Sequence, residues 1–229
     1  MNSFTLNSKN SWADFGLIIE HRPTEEGGRK ILEVFEIPGR TGTLAMDTGA
    51  LSNVSRSYDV AFEDKTNLTE KMRKIRAWLY GASGYVRLTD TYDTAVYRLA
   101  RVSNLGTFEN VAQKYGRGTL SFDCDPRRFL TSGETAITAA GSINNPGEPA
   151  RPRIELSASA SGTLVIGGTT VTVTAATSSV IVDCEARTIE AGADKVSFPD
   201  FPVIPSGAGT ISKTGGVTIV KILPRWWQP

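Results

Sequence analysis

Histidine is nearly absent from this sequence: His21 is the one histidine in 229 residues. Metal sites built on a His–His pair, and mechanisms needing two imidazole bases, are therefore excluded. Cysteine is as scarce. Cys124 and Cys184 are 59 residues apart in the intervening chain, a spacing that matches neither a zinc motif nor a disulfide framework; two buried free thiols are expected, since cysteine packs as a small hydrophobe. Excess charge is missing too. The 25 Lys+Arg and 24 Asp+Glu leave +1, and residues 1–130 (18 basic, 16 acidic) are as balanced as residues 131–229 (7 and 8). A dedicated nucleic-acid binder carries a marked basic excess, so that class is not expected.

Membrane and export signals are lacking as well. The opening Met1-Asn2-Ser3-Phe4-Thr5-Leu6-Asn7 has no basic segment followed by an apolar one, so secretion is not expected. Leu156 to Val182 runs 27 residues without a charge, yet 14 of them are Ser, Thr or Gly, too polar for a helix in hydrocarbon. There is no Gly-rich phosphate loop, no G-x-S-x-G and no H-E-x-x-H. Asp90 and Asp93 read as an Asx-type turn rather than a glycosidase pair, whose carboxyls must face each other across a sugar. No catalytic, metal-binding or cofactor-binding residue is assigned, and no cofactor is expected.

What is present is β patterning. In Ser57-Tyr58-Asp59-Val60-Ala61-Phe62-Glu63, the side chains of Tyr58, Val60 and Phe62 share one face, the mark of a half-buried strand. Thr119 to Cys124 repeats the alternation until Pro126 stops it, and in Val96–Val102 Tyr97 and Leu99 point one way. One segment departs from this habit: Leu68, Met72, Ile75 and Leu79 line a helical face, which predicts a helix over about 67–80, capped by Asn67 with Glu70 completing a capping box and Gly81 at the exit. Its Lys71, Arg73, Lys74 and Arg76 are spread around the other faces and read as a solvated or subunit-facing surface. Between strands near 15–21 and 31–37, the polar run His21 to Lys30 with Gly27-Gly28 predicts the tip of a long hairpin arm (about 20–37). Such an arm buries little in its own domain, so Ile31, Val34 and Phe35 need a neighbouring subunit to cover them. Arg40, in the turn that follows, is a candidate inter-subunit ion-pair donor because its fork can engage a carboxylate bidentately.

Composition changes after Leu130, where Ala, Ser, Thr and Gly replace aromatic and charged residues. Gly167-Gly168 between Thr163–Ile166 and Thr169–Thr174 is the strongest hairpin signal, and strands over Ser179–Asp183 and Gly216–Leu223 follow. The expectation is a mainly β protein of two β domains: residues 1–131, sandwich-like with one α-helix and the arm, and residues 132–229, a β-sandwich. Trp226 and Trp227 can serve as an aromatic anchor or as a ligand platform for a sugar ring.

These residues also carry a resemblance. Phe4-Thr5-Leu6-Asn7 with Phe15-Gly16-Leu17, then Ile37-Pro38-Gly39-Arg40-Thr41-Gly42, the helix ending Ala77-Trp78-Leu79, and Phe122 to Phe129 resemble the first domain of the siphophage distal tail (Dit) proteins. Asn145-Pro146-Gly147 with Pro152, Val182-Asp183-Cys184-Glu185, Phe198-Pro199-Asp200-Phe201-Pro202 with Pro205-Ser206-Gly207, and Pro224-Arg225-Trp226-Trp227 resemble the second. The resemblance implies a non-enzymatic hub at a virion tail tip, assembled in the host cytoplasm. It implies a homohexameric ring with arms reaching onto neighbours and a galectin-like second domain. The ring would join the tail tube protein to a tail-associated lysin, fibre or other baseplate protein and pass DNA through its channel; no membrane partner is implied. No inserted carbohydrate-binding module is expected in 229 residues. Galectin sugar sites resemble a His–Asn–Arg cluster with a Trp, and residues 131–229 contain no His, so lectin activity is not expected. The alternative reading, from a different class, is a carbohydrate-binding module for host cell-wall glycans that uses Trp226, Trp227 or Tyr92.

Overall fold

The computed structural model describes residues 1–112 and 114–229. The chain divides into two compact units, Met1–Arg128 with Pro229, and Phe129–Gln228. Both are built from antiparallel strands, which is the mainly β class read from the sequence.

The first unit begins with β1 (Phe4–Leu6), β2 (Lys9–Asn10), helix α1 (Ser11–Phe15) and β3 (Leu17–Ile19). There follow β4 (Lys30–Phe35), β5 (Leu44–Leu51), β6 (Val54–Glu63), helix α2 (Leu68–Gly81), β7 (Val86–Asp90), β8 (Asp93–Val102), β9 (Thr107–Ala112) and β10 (Tyr115–Cys124). Seven strands hydrogen-bond in the order β2-β1-β7-β8-β10-β6-β3, with β9 also on β10. Strand β6 shows why this sheet has one dry face: Val54, Arg56, Tyr58, Val60 and Phe62 are inside or nearly so, while the residues between them face outward. On β8 the inward residues are Arg98 and Ala100, with Tyr97 and Leu99 only half-buried.

Helix α2 closes that face. Its Leu68, Ile75, Trp78 and Leu79 are buried, and Asn67 caps it by accepting a hydrogen bond from the Glu70 amide at 3.0 Å. Glu70 itself does not close the box; its carboxylate pairs with Lys74 one turn on. The rings of Phe15, Trp78, Phe4 and Tyr58 stack in sequence, with centroids 4.3, 5.7 and 4.9 Å apart. Each such side chain contributes about 1.5–3 kcal/mol on burial. The sequence predicts a strand from residue 15, but α1 occupies Ser11–Phe15 first: the Asn10 side chain accepts from the amides of Trp12 and Ala13, and Gly16 closes the turn at φ 62°.

After β11 (Arg128–Leu130) comes the second unit, with β12 (Gly141–Asn145), β13 (Arg153–Ile166), β14 (Thr169–Val173), β15 (Thr177–Asp183), β16 (Thr188–Ala191), β17 (Val196–Ser197), β18 (Gly207–Leu223) and β19 (Trp227–Gln228). The charge-free stretch from Leu156 to Val182 forms strands β13 to β15; among the described residues no helix is long and apolar enough to cross a membrane. The sheet order is β12-β18-β13-β14-β17, and β15 joins β13 to β16. Strand β13 serves two partners on one side, β15 along its first half (Leu156 opposite Val180) and β14 along its second (Leu164 opposite Val171). It makes that change past a register shift ending at Gly162, where a Cβ would strike the Thr214 carbonyl. Gly167 and Gly168, at φ 55° and 83°, supply the paired left-handed conformations of a tight hairpin turn.

Candidate functional site

The arm is not where the sequence places it. Strand β3 pairs with β6, and β4 pairs with β5 in a two-stranded sheet of its own. The hairpin tip is therefore residues 36–43, and His21–Arg29 is an irregular lead-in to β4. Two local facts explain the shift. Gly27-Gly28 is not a turn: Gly28 is needed because a Cβ there would press on Pro126 and on the Ser52 carbonyl. The true turn is Ile37-Pro38-Gly39-Arg40-Thr41-Gly42, where Pro38 brings no amide, Gly39 and Gly42 hold φ 81° and 85°, and the Arg40 amide donates to the Ile37 carbonyl at 3.1 Å.

Both faces of the hairpin are open. Phe35 lies opposite Leu44 and Glu33 opposite Met46 on one face, which Ile31 shares; Val34 opposite Ala45 and Leu32 opposite Asp47 make the other. Ile31, Leu32, Val34 and Phe35 are 45, 48, 58 and 47% exposed, and Ile37, Leu44 and Met46 are exposed as well. A lone two-stranded ribbon is marginal in water, and contiguous exposed apolar surface marks an interaction site. Within the ribbon polar contacts add to the ladder, such as Lys30 with Asp47 at 2.8 Å and the Thr48 hydroxyl donating to the Ile31 carbonyl at 2.7 Å. Arg40 is exposed at the tip.

At the root of the arm a charged cluster ties the lead-in to the sheet. Arg56, on the inward face of β6, donates from Nη1 to Glu25 at 2.9 Å, from Nη2 to Asp90 at 2.6 Å and from Nε to the Tyr58 hydroxyl at 2.8 Å. Tyr58 in turn donates to Asp90 at 2.8 Å. The other Asp90 oxygen accepts from the amides of Tyr92 and Asp93, the Asx turn read from the sequence. Burial acts to raise the Asp90 carboxyl, but Arg56 and Tyr58 outweigh it and hold it below its ordinary value. Burial pushes the Tyr58 phenol up, so it stays a proton donor. The arrangement holds no activated nucleophile; what it can do is fix the start of the arm.

Arg56 is not among the candidates read from the sequence, although the inward parity of Tyr58, Val60 and Phe62 extends back to it. Other candidates are dispersed. Trp226 is 7% exposed inside the core of the second unit, so no ligand can stack on it; Trp227 packs on the same core and its indole donates to the Pro149 carbonyl at 3.0 Å. On α2, Lys71 donates to the Glu63 carbonyl and Arg76 lies over the Phe108 ring. Burial raises the thiols of Cys124 and Cys184 to about 11 and about 12. Among the described residues no group of His, Cys, Asp and Glu is placed to hold a metal ion.

No family model and no curated protein matches this chain. Solved structures do, and they define the class: the fold is that of phage tail hub and baseplate proteins. In particular it is similar to the Dit protein of SPP1, described as a paradigm of the hub adsorption apparatus in phages infecting Gram-positive hosts. The TM-score is 0.69 at 16% identity, covering 97% of this chain and 98% of that one. A chain of the phage p2 baseplate, in its activated conformation with Sr, aligns with a TM-score of 0.54 at 8% identity over 97% of both chains. At such identities the likeness is one of fold.

Proposed function

We propose that this protein is the structural, non-enzymatic hub of a long non-contractile phage tail tip. Its first unit forms a homohexameric ring, in which the β4–β5 arm of each copy lies on a neighbour that covers Ile31, Val34 and Phe35. Arg40 at the tip donates to a carboxylate of that neighbour. The ring joins the tail tube protein to a tail-associated lysin, fibre or other baseplate protein and leaves a channel for DNA. The second unit, galectin-like in fold, acts as an adaptor surface rather than a lectin.

One observation carries this reading: end-to-end similarity of fold to a tail hub protein, in a chain that leaves a whole apolar hairpin uncovered. A rotationally repeated, head-to-tail contact of that kind closes into a ring when its angle divides the circle. The test is absolute mass by light scattering behind a sizing column, for the natural chain and for Phe35→Asp. About 148 kDa, six times the 24.7 kDa chain mass, falling to smaller species in the variant is the expected result. A monomer that binds cell-wall glycans would instead support a carbohydrate-binding module.

A further inference from the structure

Strand β6 carries an open groove at the end away from the arm. The arm enters β6 at Val54 through Ser52, whose amide donates to the Arg29 carbonyl. The groove lies over Ala61 to Glu63, about 30 Å further along the strand. Its floor is the outward face of three strands, with Ile18 of β3 opposite Ala61 and Tyr115 of β10 opposite Glu63. Trp12 of α1 and Val111 of β9 line it as well. The groove encloses about 690 Å³, and Trp12, Val111 and Tyr115 are 42, 58 and 53% exposed. Apolar side chains that are contiguous and uncovered mark a contact surface.

The polar groups of the groove are few and mostly engaged. Arg117 pairs with Glu20 at 2.8 Å. Lys71 donates to the Glu63 carbonyl at 2.7 Å, and its Nζ lies so close to Gly16 that a Cβ there would be 2.9 Å away. Glu63 is exposed, and its carboxylate has no ion pair among the described residues. A small-molecule site aims converging polar groups at its ligand; this groove offers apolar walls and a free carboxylate. The tip of the arm has the matching set. Phe35, Ile37 and Leu44 are 47, 43 and 43% exposed, and Arg40 in the same turn is exposed with no ion pair among the described residues. Within one chain the two surfaces do not meet, since both stay open.

We propose that the arm tip of one copy enters this groove on a second copy, placing Phe35, Ile37 and Leu44 on its apolar walls and Arg40 on the Glu63 carboxylate. This contact rests on the ring reading above and names the surface that receives the arm. Arm and groove at opposite ends of β6 give each copy one inserting and one receiving surface, so the contact repeats head to tail and leaves none unpaired when the ring closes. Trp, Tyr and Arg seated in a desolvated pocket are the residues that dominate binding energy in protein interfaces.

The experiment uses the full chain and reads absolute mass by light scattering. Ala61→Glu, which puts a charge on the groove floor, should lower the assembled mass as Phe35→Asp does. A second variant combines Arg40→Cys with Glu63→Cys and is treated with a short bismaleimide; Cys124 and Cys184 are buried and stay out of the reaction. Covalent species of three and more chains should appear on a denaturing gel, which neither single-cysteine variant can form. Both positions are exposed, so this readout survives if Ala61→Glu does not fold. A natural chain that remains monomeric overturns the ring and the groove together. Assembly that Phe35→Asp weakens and Ala61→Glu leaves unchanged, or a double variant that links only within single chains or not at all, overturns the groove alone and leaves the role of the arm standing.

Discussion

Arg225 grips both oxygens of Asp183: Nη1 to Oδ1 and Nη2 to Oδ2 are each 2.8 Å. Asp183 ends β15 and also accepts from the amides of Glu185 and Ala186, so one carboxylate joins the turn after β15 to the segment after β18. Arg225 reaches it from a left-handed backbone, at φ 57°.

The Arg225 hydrogen bond, with the two amides, outweighs burial and lowers the Asp183 carboxyl from 3.8 to about 2. Because the folded value is the lower one, this contribution is fully present above about pH 4 and is lost as pH falls through about 2. Asp183→Asn should cost about 2 kcal/mol at pH 7, and almost nothing at pH 2. Urea unfolding at the two pH values, followed through Trp226 in the same unit, measures the difference.

Asp90 and Glu25 both pair with Arg56, yet their loss should not weigh equally. Asp90→Ala strands a buried guanidinium and removes the acceptor of the Asx turn, so a cost of about 3–5 kcal/mol is expected. Glu25→Ala acts at an open rim and should cost about 1 kcal/mol or less. Equal losses in urea titrations of the two variants would contradict the assignment of Asp90 as the buried partner.

Val34→Asp and Phe35→Asp change side chains that are exposed within the single chain. Each should alter single-chain unfolding by no more than about 0.5 kcal/mol, while lowering the assembled mass seen by light scattering. A variant that unfolds early but assembles normally would reverse the roles given to these residues.

Gly167 and Gly168 offer a paired test. Both have positive φ, but a Cβ on Gly167 would collide with the Val203 carbonyl, whereas one on Gly168 meets nothing. Gly168→Ala should cost about 1 kcal/mol from backbone strain alone; Gly167→Ala should cost clearly more, read from thermal midpoints.

In the folded chain neither Cys124 nor Cys184 should react with a disulfide reagent at pH 8. Both side chains are buried, and their thiols lie well above that pH, at about 11 and about 12. Two thiols should appear on adding denaturant.

Much of the architecture could be read locally. The alternation through Tyr58, Val60 and Phe62, the helical stripe of Leu68, Ile75 and Leu79, and the Gly167-Gly168 turn each depend on neighbours within a few residues. The charged cluster does not. Arg56 finds Glu25 31 residues before it and Asp90 34 residues after it, and nothing local marks that pairing. The arm lies further along the chain than Gly27-Gly28 suggests, because Gly28 serves close packing against Pro126, a contact between distant segments, while its composition imitates a turn. α1 leaves no such mark, because five residues are too few for a helical period to show.

Strand β13 has a temporal consequence. Its long partner β18 runs to Leu223, far downstream of Ile166 where β13 ends. At about 5–20 residues per second of synthesis, one edge of the nascent β13 waits roughly 3–11 s after it is made before β18 is complete. During that interval its apolar alternation, Ile154, Leu156, Leu164 and Ile166, is a template for a strand from another growing chain. The ribosome-bound stage thus exposes a strand edge that the finished protein keeps paired with β18.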